Sequence, residues 1–219
     1  MRRVFSVSLL ALLAALPAAA QTLPERSIHI VDYRISVSLD PATHKLTGRE
    51  TLTWRNPSTV DAVSELQFHL YLNAFKNTKS TFMKESGGQL RGVDMAEDGW
   101  GWIDITSIAT ASGADLKPTL AFIQPDDGNP YDQTVVKASL PEAVPPGGSV
   151  TLDIAFVAKL PRVFARTGYQ DDFYLVGQWF PKLGVYEPAG MRGRETGGWN
   201  CHQFHATSEF YADFGTYAV

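Results

Sequence analysis

Tyr33-Arg-Ile-Ser-Val-Ser-Leu-Asp-Pro-Ala-Thr-His-Lys-Leu-Thr-Gly-Arg-Glu-Thr-Leu-Thr-Trp54 holds two alternating runs separated by a turn. In the first, Tyr33, Ile35, Val37 and Leu39 alternate with Arg34, Ser36, Ser38 and Asp40, the period of two that buries one face of a strand. Asp40-Pro41-Ala42-Thr43 supplies turn chemistry. In the second run Leu46, Leu52 and Trp54 share one parity, and Thr47, Arg49, Thr51, Thr53 and Arg55 the other, until Asn56-Pro57-Ser58 stops it. Two such runs joined by a short turn predict an antiparallel pair.

The pattern continues outward from that pair. Leu66, Phe68, Leu70 and Leu72 line one face of a third predicted strand, with Gln67, His69 and Tyr71 on a face that reads as solvent or sheet edge. From Asn73 to Gly101 no period holds, and only a helical turn near Thr81 to Glu85 is expected. Strand-like runs resume at Trp102 to Ile108, Leu116 to Ile123, Thr134 to Leu140 and Val150 to Ala158, with Gly/Pro/Asp turns between them. Ser208 to Val219 alternates again and stops without a turn, which is expected of a reading frame that continues. Short strands at this spacing, with no amphipathic helix of ten residues, predict an all-β fold, an antiparallel β-sandwich.

The first twenty residues read as an address. Arg2 and Arg3 precede an apolar run from Val4 to Leu16, and Pro17-Ala18-Ala19-Ala20 ends in the small-x-small pattern of signal-peptidase cleavage. The run is shorter than the ~20 residues of a membrane span. Residues 1–20 are therefore expected to be a signal peptide, with 21–219 forming one soluble domain in the periplasm or outside the cell. Removing the two arginines takes the formal charge from −4 to −6, and without a basic block the chain is a poor nucleic-acid binder.

Cys201 is the single cysteine, so no disulfide can form within the chain, and it is expected to be a small buried hydrophobe. His29, His44, His69, His202 and His205 are the first places to look for a metal, yet none is followed by the glutamate of an H-E-x-x-H helix. On a strand, His202 and His205 of Cys201-His-x-x-His205 would point to opposite faces, leaving too few ligands for a structural zinc site. Asp126-Asp-Gly-Asn-Pro-Tyr-Asp132 lacks the ligand spacing and closing glutamate of a calcium loop and reads as a solvated turn. No G-x-S-x-G elbow or phosphate-binding Gly-Lys-Ser/Thr loop occurs. Gly190 to Gly198 reads as a mobile loop, and Trp100, Trp102, Trp179 and Trp199 read as core side chains before sugar platforms.

The opening stretch Tyr33 to Trp54 resembles the first hairpin of the aminopeptidase N family of zinc metallopeptidases, and Leu66-Gln-Phe-His-Leu-Tyr-Leu72 its next strand. Phe164-Ala-Arg-Thr-Gly-Tyr169, Gly177-Gln-Trp-Phe-Pro-Lys-Leu-Gly184 and Gly198-Trp-Asn-Cys-His-Gln-Phe-His205 resemble a bacterial branch of it. The resemblance implies a saddle-like β-sandwich that packs on a thermolysin-like catalytic domain and closes one side of its peptide cleft. It implies zinc in that catalytic domain, which lies downstream, and no cofactor, metal ligand or catalytic residue in this chain. It also implies one polar contact from this domain to the substrate's α-ammonium, with Gln178 the first candidate, then Asp171 and Asp172. The competing reading is an exported β-sandwich module that binds sugars or a surface partner.

Overall fold

The computed structural model describes residues 28–219. The signal-peptide reading of 1–20 lies outside them. In chain order the strands are β1 (Val31–Asp40), β2 (Lys45–Arg55), β3 (Val63–His69), β4 (Gln89–Leu90), β5 (Val93–Asp94), β6 (Trp102–Thr110), β7 (Ala121–Phe122), β8 (Val135–Val144), β9 (Ser149–Lys159), β10 (Gly168–Gln170), β11 (Phe173–Leu175), β12 (Lys182–Leu183), β13 (Val185–Glu187), β14 (Gly198–Asn200) and β15 (Gly215–Ala218). One short helix, α1 (Thr81–Ser86), starts at Ser80, whose hydroxyl accepts from the Met83 N–H, and ends at the left-handed Gly87.

Two sheets carry the all-β fold. The larger has the order β15-β1-β2-β9-β6, and the smaller β12-β3-β8-β7. Pairing is antiparallel except for β15, which runs parallel to β1. Register explains why the alternation forms a core. Tyr33 faces Leu52, which faces Leu152; Val37 faces Gly48, which faces Phe156; Leu39 faces Leu46, which faces Ala158. Apolar side chains of β1, β2 and β9 thus fall in rows across one face of the large sheet. Trp54, Phe156 and Leu52 there, with Leu66 and Phe68 of β3, are essentially inaccessible. Each such side chain contributes ~1.5–3 kcal/mol by leaving water.

One row breaks the pattern. Glu50 lies between Ile35 and Ile154 on the core side of β2 and is 2 % exposed, with no hydrogen-bond partner for either carboxylate oxygen among the described residues. Burial pushes its carboxyl well above the usual range.

Three predicted elements differ. The third strand ends at His69, and Tyr71–Phe75 turns into a short 3-10 helix fixed by Asn73, whose side chain donates to the Gln133 carbonyl (2.9 Å) and accepts from the Ile103 N–H (3.0 Å). The face expected at solvent is buried: His69 is 2 % and Tyr71 4 % exposed, because β12 pairs with β3 and the segment after Cys201 lies over them. Leu116 to Ile123 is a 3-10 turn at Lys117–Thr119 followed only by β7, since Pro118 supplies no ladder donor. The alternating run from Ser208 contains strand only at β15. Up to Phe214 the backbone follows side-chain anchors instead, such as the Tyr211 hydroxyl on Glu187 (3.0 Å). Among the described residues no helix is long and apolar enough to cross a membrane.

Candidate functional site

The stretch between β11 and β12 holds Gln178. Gly177 lies against the Arg166 carbonyl, which a Cβ would meet at 2.6 Å, and Phe180 is buried with its ring edge-on to Tyr33 at 5.3 Å. Trp179 packs on Phe156 and Phe180. Held on both sides, Gln178 adopts a left-handed backbone with φ of 52°, a conformation that costs a residue with a Cβ ~1–2 kcal/mol. Its side chain is half-buried, and its amide Oε1 accepts from the Lys182 ammonium at 3.3 Å. Burial lowers the pKa of Lys182.

Asp171 and Asp172 stand elsewhere in the same region. They form the exposed two-residue tip of the β10–β11 hairpin, where Asp171 takes the positive φ of 51° that such turns require. Asp171 accepts from the Gln170 amide at 3.2 Å. The hairpin is pinned at its sides by Tyr169, stacked on His44 at 3.5 Å, and by Tyr174, whose hydroxyl meets His44 Nδ1 at 2.9 Å. Turn geometry accounts for both aspartates, and neither shares a hydrogen bond with Gln178.

A second cluster was not expected. The segment after β14 is irregular from Cys201, so His202 and His205 do not take the opposite faces a strand would give them. Both converge on Asp126: His202 Nδ1 lies 2.5 Å from Oδ1, and His205 Nε2 lies 3.1 Å from Oδ2. His205 Nδ1 also meets Glu85 Oε1 at 2.7 Å. The turn expected in solvent at Asp126 to Asp132 is instead tied down, with Asp132 fully buried and accepting from the Thr81 and Thr134 N–H groups. The cluster borders a cavity of about 370 Å³ whose wall includes His69, Tyr71, Asn200 and Tyr211.

Cys201 is buried, as expected, with its Sγ 3.5 Å from His69 Nε2. Burial drives the two groups in opposite senses: the thiol is pushed up, and His69 down to about 3. Burial therefore disfavours both the thiolate and the imidazolium. The 190–198 loop is anchored by the buried Glu187, which accepts from Arg194 (3.2 Å), Asn200 (3.1 Å) and Tyr211 (3.0 Å). Trp54 is inaccessible, and Trp100, Trp102, Trp179 and Trp199 are all half-buried.

Among the described residues no group of three or more His, Cys, Asp and Glu side chains is arranged to hold a metal ion. Asp126 Oδ1 and Oδ2 face His202 Nδ1 and His205 Nε2, and His205 Nδ1 faces Glu85.

No family model matches the chain, and no curated protein does. Among solved structures, a mutant two-domain M1 zinc metallopeptidase bound to L-tryptophan shares 14 % identity over 68 % of this chain, at a TM-score of 0.36. A mutant M1 zinc metallopeptidase from Deinococcus radiodurans bound to a Tyr-Ser-Ala substrate shares 14 % over 68 %, at 0.35. A family GH18 chitinase from Chromobacterium violaceum shares 18 % over 70 %, at 0.19. The chain spans 26 % and 24 % of the two metallopeptidases and 20 % of the chitinase.

Proposed function

We propose that this chain is the non-catalytic N-terminal β domain of an exported zinc aminopeptidase, packing on a zinc-bearing catalytic domain and lending Gln178 to the recognition of the substrate's free α-ammonium. The observation that carries this reading is the setting of Gln178. A residue with a side chain occupies a backbone conformation suited to glycine, between packed neighbours, and its amide oxygen already accepts a hydrogen bond from an ammonium, that of Lys182. Positions that retain such strain cluster at functional sites, and a charge-assisted hydrogen bond in a closed cleft is strong and directional. Asp171 and Asp172 are weaker candidates because the hairpin tip explains them. Exposed apolar side chains, Phe173 and Leu175 on β11 and Phe214 beside β15, support a covering partner. Export is proposed from the leader sequence.

The test uses the enzyme reconstituted with the H-E-x-x-H-bearing half. Gln178→Ala should lower kcat/KM on free-amine peptides by about 1.5–3 kcal/mol of transition-state binding, the range for hydrogen bonds to charged groups. N-acetylated peptides, which lack the charge, should lose much less. Equal losses on both would assign Gln178 to the fold. Residues 21–219 alone should carry under about a tenth of an equivalent of zinc, since protein zinc sites need three or four ligands; stoichiometric zinc by elemental analysis would return attention to His202, His205 and Asp126.

A further inference from the structure

The cluster around His205 is independent of the proposed peptidase role and carries its own consequence. Glu85 of α1 approaches one ring nitrogen of His205, and Asp126 of the β7–β8 connection the other. A neutral imidazole has one N–H and one lone-pair nitrogen, while an ionised carboxylate only accepts. Both contacts are hydrogen bonds only when the ring carries two protons. The carboxylates are committed as acceptors elsewhere too: Glu85 Oε2 takes the Ala206 N–H at 2.9 Å, and Asp126 Oδ2, the oxygen that faces His205, also takes the Gln203 N–H at 2.7 Å.

We infer that His205 is a proton-operated clasp: as an imidazolium it locks the chain from Cys201 to Phe214 onto α1 and the Asp126 loop, and as a neutral ring it must release one of the two carboxylates. The place of the clasp in the chain gives it an effect. On one side Phe204 is buried against Tyr71 and Phe82. On the other, a tight turn closed by the Ser208 hydroxyl on the His205 carbonyl (2.9 Å) leads to Phe210, half-exposed over Tyr71, and on toward β15. Release would loosen the Ala206 side while Phe204 stays in place.

The charged and titratable groups facing His205 are Glu85 from α1, Asp126 and Asp127 from the β7–β8 connection, and His202 from its own segment. Glu209, which also lines the cavity, is paired with Arg166 at 2.6 and 2.8 Å. Burial opposes the charge on His205, but Glu85 and Asp126 outweigh it and raise its pKa. Asp126 is held below the usual carboxylate range in turn, burial being outweighed by the bonds from His202 and His205. The folded-state pKa of His205 is raised, so the clasp is complete below the unfolded value and lost as pH rises through the folded one.

Ring NMR titration of His205 and amide exchange at Ala206, both in the full chain, test this. On crossing the His205 midpoint upward, Ala206 exchange should accelerate about tenfold beyond its base-catalysed rise, the equivalent of one lost bond of ~1.4 kcal/mol. Glu85→Gln keeps an acceptor for the Ala206 N–H but removes the charge. It should lower the His205 midpoint and abolish the step. If Ala206 exchange in the wild type shows no step at the His205 midpoint, the clasp is wrong whether or not the variant folds. A midpoint identical in wild type and Glu85→Gln would equally overturn it.

Discussion

The Tyr33 hydroxyl of β1 accepts a 3.0 Å hydrogen bond from the backbone N–H of Leu183 in β12, so a single side chain links the large sheet to the small one. Burial pushes the phenol far above its usual pKa, which keeps it protonated throughout the stable range. Tyr33→Phe retains the ring that packs on Phe180 and Tyr217 but strands a buried N–H. It should cost ~1–3 kcal/mol in urea unfolding, the desolvation penalty of an unpaired donor. A change under ~0.5 kcal/mol would show that the Leu183 N–H finds another acceptor.

Gly48 is the glycine on which the core of the large sheet depends. A Cβ there would come within 2.2 Å of the Phe156 ring, which occupies the space beside it. Gly48→Ala should therefore destabilise by ~1–3 kcal/mol through overpacking. Adding Phe156→Leu makes room, so the double variant should lose clearly less than the sum of the two single losses. Simple additivity in chemical denaturation would mean that the ring moves aside without cost.

Glu50 and Asp213 both have raised folded-state pKa values. Burial raises Glu50. It also lifts Asp213 to about 6, against the opposing Arg192, and one Asp213 oxygen has no partner. For a raised carboxyl the stability is present below the unfolded pKa and lost as pH rises through the folded one. Glu50→Met should accordingly gain on the wild type as pH rises from about 4 to 8, in addition to the ~1–3 kcal/mol of an unsatisfied buried polar group that it removes at any pH. Asp213→Asn should flatten the wild-type loss between about pH 4 and 6. His69 works in the opposite sense, its stability being lost as pH falls below about 6.5, so the measurement is the variant-minus-wild-type difference. A difference independent of pH would place charged Glu50 in contact with water.

Much of the large sheet was legible because period two is a local signal. Tyr33 to Leu39 and Leu46 to Trp54 show it on their own, and their pairing register is set by a four-residue turn in which Asp40 accepts from Ala42 and Thr43. Where tertiary anchors override local alternation, the reading failed. Leu70 and Leu72 keep the parity of Leu66 and Phe68, yet Asn73 draws the chain into a 3-10 turn through partners 30 and 60 residues away. The His202–Asp126 and His205–Glu85 contacts span 76 and 120 residues and leave no periodic trace. Glu50 carried a weak signal, a carboxylate on the apolar parity of β2, which the alternation of its neighbours obscures. Gln178 is a candidate only through the family resemblance, and its backbone strain is invisible in residue types alone.

That strain allows fold and recognition to be separated at Gln178. Glycine meets no Cβ penalty at a φ of 52°, whereas alanine keeps the penalty of ~1–2 kcal/mol. Both variants lose the half-exposed bond from Lys182, worth ~0.5–1.5 kcal/mol. Gln178→Gly should thus be more stable than Gln178→Ala by about 1 kcal/mol, and close to the wild type. If the amide oxygen serves the substrate ammonium, the two variants should nevertheless show the same loss on free-amine peptides in the reconstituted enzyme, because neither offers an acceptor. A glycine variant less stable than the wild type by more than ~1 kcal/mol would mean that the Lys182 bond supports the fold. Activity losses that instead track the two stabilities would remove the reason to assign Gln178 a role in the cleft.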